Sequence, residues 1–223
     1  MKRVYSISPR KRRNPFGYLS VTFTLIVINV IAFIIFSILL GSEVVSIDAI
    51  AIKPANILQG NYLWTFLTSM FMHGSFFHIF ANMFSLMFIG GLIEKILGRK
   101  RYLYFYLSSG LLAGVFFVLF SLIFPADYNS FAVGASGALF GVAGLMVVLT
   151  PNLPLYVMFI PIPIKAKYAI PGLLFILWMI SIAGNVPIGN TAHLGGLLVG
   201  IFYGIYLRTK YKKKTRFISR HFS

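Results

Sequence analysis

The sequence has no cysteine, which excludes disulfides and thiolate metal sites and leaves the redox compartment open. Acidic residues are scarce as well: 4 Asp and Glu stand against 20 Lys and Arg, for a formal net charge of +16. Only 11% of the 223 residues are charged, well below the roughly 25% of a soluble domain. With 58% hydrophobic content, 23 Phe and 12 Tyr, these shortages exclude an ordinary soluble fold and point to an integral membrane protein. The basic excess does not indicate nucleic-acid binding. It sits in two tails and in short loops between apolar runs, with no long basic face and no separate domain to carry one. Charge placed in this way suits the anionic inner leaflet of a bilayer.

Six apolar segments are present, over 18–40, 76–97, 101–124, 134–150, 168–185 and 189–207. Residues 1–17 are basic and precede an apolar stretch, as in a signal peptide. The stretch is too long for a signal h-region, however, and no small-residue cleavage site follows, so an uncleaved first span is expected. If the N-terminus is cytoplasmic, every one of the 20 basic residues except Lys53 falls on the inner side. The positive-inside rule therefore favours an all-α polytopic protein of six spans with both termini cytoplasmic. Its parts are a basic tail over 1–17, a membrane domain over 18–207 and a second basic tail over 208–223.

The longest outer connection, Gly41–Ser75, mixes Glu43, Asp48, Pro54, Tyr62 and Trp64 with many apolar residues. It reads as a segment lying in the interface, with Tyr62 and Trp64 at headgroup depth. The second span opens near His78 and carries Asn82 one turn on, on the same face. Gly98 is its expected C-cap. Pro151 stops the fourth span, and Pro171 lies at or just inside the start of the fifth. In the sixth span, Ala192, Gly196, Gly200 and Gly204 recur every four residues, a smooth ridge against which another backbone can pack closely.

The organising stretch is Val133 to Gly141, where Ser136 sits between glycines in the first turn of a short apolar helix. Small residues such as Gly137, Gly141 and Gly144 also serve membrane-helix packing, so this stretch alone does not establish chemistry. Depth brings in the other polar residues. About 15 residues from Ser136 to the inner end cover about 22 Å, against about 30 Å of hydrocarbon. Ser136 then lies roughly 8 Å below the outer surface, His193 about 6 Å, and His78 and Asn82 about 3 to 9 Å. Four polar side chains from three helices thus share one layer. Irregular backbone at 125–135 is tolerated at that depth only inside protein or beside a wet cavity, and a pocket opening outward is expected.

A serine and a histidine on close-packed helices support acyl transfer, with His193 taking the Ser136 proton and returning it to the leaving amine. No carboxylate is placed to complete a triad: Glu94 lies about 18 Å along its helix from Asn82, and Glu43, Asp48 and Asp127 are in outer loops. A dyad is expected, with the Ser136 backbone N–H and the His78 and Asn82 side chains as oxyanion donors.

Gly134-Ala135-Ser136-Gly137 resembles the G-x-S-G of the rhomboid intramembrane serine proteases. Ala192-His193-x-x-Gly196-x-x-x-Gly200 is similar to their sixth span, and His78-x-x-x-Asn82 to their second. His73 and the run Gly91 to Gly98 also fit the second-span pattern. The resemblance covers about residues 18–207, with the motifs in order. It implies a six-helix rhomboid-like bundle that cleaves other membrane proteins within or near their transmembrane segments, without a metal or any other cofactor. It assigns Ser136 as nucleophile, His193 as base, and His78 and Asn82 to the oxyanion site. Gly134, Gly137, Gly196 and Gly200 pack around that site, and substrate enters beside the fifth span and the loop after it. Two departures stand out. Trp64-Thr65 replaces the common Trp-Arg, which leaves the anchoring of the first loop open. Phe140 replaces a common Tyr stacked on the histidine, and its ring should still stack.

Three rival readings are weaker. An inactive rhomboid-like membrane-protein binder is the main alternative, but such proteins typically lack the serine or the histidine. A transporter or channel would show an inverted repeat or polar residues running to the inner side. A zinc hydrolase using His73, His78 and His193 would need a carboxylate or an H-E-x-x-H pattern. Cationic tails without a sizeable extramembrane domain suggest a bacterial plasma membrane, with the site opening outward.

Overall fold

A computed structural model describes residues 20–156, 161–184 and 188–222; the basic segment 1–17, read above as a cytoplasmic tail, lies outside them. Helix α1, Val21–Gly41, starts where the Ser20 hydroxyl accepts the Phe23 N–H. Only Thr22, Leu25 and Asn29 of this helix are buried, one stripe at spacings of three and four. Ile28, Ile31, Ile35 and Ile38 are exposed, an apolar face suited to lipid. What docks α1 comes from far along the chain. Glu94 accepts the Val21 and Thr22 N–H groups at 2.8 Å each and the Thr22 hydroxyl at 2.7 Å. A carboxylate there satisfies orphan N-terminal donors and complements the helix dipole.

The outer connection folds into short pieces: a 3-10 turn at Ile47–Ala49, α2 at Pro54–Leu58 and α3 at Thr65–Thr68. Trp64 Nε1–H donates to the Ala49 carbonyl, the Thr65 hydroxyl to the Tyr62 carbonyl, and the Thr68 hydroxyl to the Ile50 carbonyl. These bonds anchor the loop in which Thr65 stands where an arginine is common. An Asn56 amide bond, assisted by Lys53 and Ser46 and partly opposed by desolvation, holds the Asp48 carboxyl below its ordinary range. Ile52 and Ala132 exchange backbone hydrogen bonds at 3.1 and 2.9 Å, which ties this loop to the segment preceding Ser136.

The next helical run, Phe76–Leu97, comprises α4 (Phe76–Ser85), a π-helical stretch (Leu86–Gly90) and α5 (Gly91–Leu97). Gly98, at φ 79°, ends it in a backbone conformation that glycine adopts freely. Then follow α6 (Arg99–Phe120), α7 (Pro125–Tyr128) and α8 (Ser136–Leu149). A two-residue hairpin ladder pairs β1 (Pro154–Leu155) with β2 (Ile164–Lys165) and leads into α9, Ala166–Gly184, with Pro171 inside the helix. Helix α10 spans Asn190–Lys210 and α11 spans Lys212–His221. The segment expected as a basic tail is therefore helical.

Among the described residues, four helical runs are long and apolar enough to cross a membrane: Val21–Gly41, Phe76–Leu97, Arg99–Phe120 and Ala166–Gly184. The expectation was six. At 14 residues α8 covers only about 21 Å, and the glycines and polar ends of α10 dilute its hydropathy. Helix α8 is buried nearly all round, between α6 and α10, as its uniformly apolar sequence requires. Tyr102, Tyr106, Leu145, Met146 and Leu149 are among the fully enclosed side chains at this centre.

Candidate active site

The α8–α10 contact is a backbone contact. A Cβ on Gly200 would stand 2.7 Å from the Leu145 nitrogen and 2.8 Å from the Gly141 carbonyl carbon; one on Gly196 would be 3.1 Å from the Gly137 carbonyl carbon. The helices meet at a distance that only glycine permits. This brings the start of α8 beside the first turn of α10. Ser136 Oγ and His193 Nε2 are 2.7 Å apart.

Ser136 is the first residue of α8, and Leu139 is the first residue of this helix whose N–H reaches a backbone acceptor, Ala135 O at 3.0 Å, among the described residues. The N–H groups before it make up the donor-rich end of the helix. Gly134 turns the chain at φ 110°, and its N–H donates to the Ser69 carbonyl at 2.8 Å. His78 lies against this turn: a Cβ on Gly134 would come within 2.8 Å of both the His78 Cε1 and Nε2 atoms. Gly137 faces α6, where an added Cβ would meet the Ala113 methyl at 2.9 Å.

The Phe140 ring, one turn after Ser136, stacks on His193 at 4.6 Å between centroids and 24° between planes. His193 is 7% exposed, and its Nδ1 has no hydrogen-bond partner among the described residues. Ser136, Gly134 and His78 are only half-buried, so the hydroxyl remains approachable. Asn82 is buried and donates one amide N–H to the His78 carbonyl at 2.9 Å. All the residues marked out in the sequence thus lie on α4, the turn before α8, α8 or α10.

Two contacts had no expected role. The Ala135 N–H donates to His73 Nε2 at 3.4 Å, and the His73 ring stands edge-on to His78 at 5.1 Å. Burial, then the neighbouring His78, pushes the His73 imidazole down to about 4, which keeps it a neutral acceptor. Its five-residue spacing from His78 was the available signal. Asp127 accepts the Thr191 hydroxyl at 2.7 Å and so pins α10 two residues before His193. Nothing in the local sequence links those two residues.

A hydroxyl 2.7 Å from an imidazole nitrogen, at the donor-rich end of a helix, is equipped for nucleophilic attack on a carbonyl. The Rhomboid domain profile matches residues 60–210. RHOMBOID-like protein 5 of Arabidopsis thaliana is 31% identical over 170 residues, covering 76% of this chain and 52% of that protein. RHOMBOID-like protein 6, mitochondrial, of the same plant is 34% identical over 160 residues, covering 70% and 48%. Inactive RHOMBOID-like protein 8, also from Arabidopsis thaliana, is 29% identical over 145 residues, covering 64% and 37%. The chain spans about half the length of the first two relatives, 52% and 48%. Their plant source, and the mitochondrial name of one, lend no support to the bacterial membrane expected from composition. On the match across 60–210, this integral membrane chain belongs to the rhomboid family.

Proposed function

We propose that the chain is an intramembrane serine endopeptidase that cuts transmembrane or juxtamembrane segments of other membrane proteins. The observation that carries this reading is the 2.7 Å contact between Ser136 Oγ and His193 Nε2 at the start of α8. His193 with its proton on Nδ1 accepts the Ser136 proton at Nε2 as Oγ attacks the scissile carbonyl. The tetrahedral oxyanion takes hydrogen bonds from the Ser136 N–H, from His78 and from Asn82. One Asn82 N–H is held by the His78 carbonyl, which leaves the second for the substrate oxygen. His193 then protonates the leaving amine, and water resolves the acyl-enzyme by the reverse path. Stacking on Phe140 orients the imidazole, the part a carboxylate plays in a triad.

In this reading the six expected spans form the membrane domain over 18–207. Both ends face the cytoplasm and its anionic leaflet, and the site opens to the outer side. Substrate enters from the bilayer beside α9. The test is cleavage of a single-span substrate by purified protein, with Ser136→Ala and His193→Ala as comparisons. Wild-type product and none from either variant is expected, with chelators having no effect. Equal product from wild type and Ser136→Ala sinks the proposal and leaves the inactive binder, a reading kept in view because one relative is named as inactive. Labelling of Ser136 by a fluorophosphonate gives an independent readout.

A further inference from the structure

At the opposite end of α10 from His193, beyond the break at Tyr211, the end of α10 and α11 line a half-open cavity of about 440 Å³. Arg208, Lys212, Arg216 and Arg220, four residues apart in sequence, all line it. Thr215 and Ser219 add hydroxyls, and Val148 near the end of α8 supplies an apolar wall. The volume falls within the roughly 300–1,000 Å³ usual for small-molecule sites. Among the described residues, no acidic side chain lines the cavity. Three of the chain's 4 acidic residues are bonded elsewhere: Glu94 at the start of α1, Asp127 to Thr191, and Asp48 to Asn56 and Lys53. Among the described residues, none of the four lining cations forms an ion pair. Four like charges around one hollow repel each other unless an anion joins them.

Position identifies the anion. The lining begins at Arg208, directly after the apolar run of α10, in a stretch of chain whose Tyr206, Tyr211 and Phe217 rings are exposed. Exposed aromatics next to a basic cluster at the end of an apolar helix mark the headgroup level. We infer that this cavity binds the phosphate of an anionic glycerophospholipid, with guanidinium and ammonium groups on the phosphate oxygens and Val148 toward the acyl chains. Arginine's planar fork suits phosphate oxygens, and the period of four brings the cations of α11 onto one face.

The experiment uses the full chain purified in detergent and measures lipid retention by native mass spectrometry, with phosphatidylglycerol against phosphatidylcholine. Two variants each lose two charges from α11: Arg216→Gln with Arg220→Gln inside the cavity, and Lys213→Gln with Lys214→Gln outside it. The first should weaken phosphatidylglycerol retention at least tenfold and the second less than twofold. Added phosphatidylglycerol should raise the melting temperature of wild type and not that of the cavity variant. Should the double variant fail to fold, Arg220→Gln alone is expected to lose about threefold. Equal loss in both pairs overturns the inference in favour of a diffuse positive field. Equal retention of phosphatidylcholine also overturns it, and displacement of the lipid by millimolar inorganic phosphate assigns the cavity to a free phosphate instead.

Discussion

Replacing Gly200 by alanine adds one methyl group where α10 crosses α8, and the structure sets its consequence. The new Cβ would lie 2.7 Å from the Leu145 nitrogen and 2.8 Å from the Gly141 carbonyl carbon. Non-bonded heavy atoms settle at about 3.5–4.0 Å, so the helices must separate by roughly 1 Å. Both obstacles are backbone, and no side chain can rotate out of the way. Overpacking of this kind costs about 1–3 kcal/mol, offset in part by alanine's better helix propensity. The functional cost is larger. Gly200 lies two turns from His193, and the Ser136–His193 contact of 2.7 Å has little room to lengthen before it fails as a hydrogen bond. A misplacement of about 1 Å at a catalytic pair is worth on the order of 100-fold in rate. The assay is fluorophosphonate labelling and substrate cleavage by Gly200→Ala, with Gly91→Ala as control because a Cβ there meets nothing within 4 Å. The control should behave as wild type. If Gly200→Ala labels and cleaves within twofold of wild type at an unchanged melting temperature, the close crossing does not set the dyad geometry.

Other substitutions test other links. Glu94→Ala removes three hydrogen bonds from the start of α1 and should cost on the order of 3–5 kcal/mol, read as a lower melting temperature and faster proteolysis between α1 and α2. Phe140→Leu removes the ring stacked on His193 while largely keeping volume; a stacking energy of about 0.5–1.5 kcal/mol predicts a roughly 2- to 10-fold fall in kcat with KM little changed. Asp127→Ala frees Thr191, so amide exchange should rise in the first turn of α10 and labelling of Ser136 should slow, with the melting temperature falling by less than in Glu94→Ala. His73→Phe leaves the Ala135 N–H without its acceptor, and labelling should slow while overall helicity stays unchanged.

The apolar runs were legible in the sequence because partition into hydrocarbon is a local property of a stretch of side chains. Helix ends at Gly98 and Pro151 were visible, since capping and proline sterics act within a turn. The sequence also placed Ser136 and His193 at matched depth beside a smooth glycine ridge, and the structure sets their side chains 2.7 Å apart. Tertiary structure alone decided the rest. Glu94 reaching back to α1, Asp127 holding Thr191 and His73 accepting from Ala135 each join segments that are distant in the chain, and no local pattern says which donor a polar side chain will find. The π-helical stretch at Leu86–Gly90 is another case, since an added Cβ at Gly90 would press on the Tyr102 hydroxyl and Leu86. The basic C-terminal residues read only as a cytoplasmic tail; the turn at Tyr211 folds α11 so that four cations line one hollow. Sequence determines which residues prefer lipid, water or a turn; which of them meet depends on how the helix faces pack.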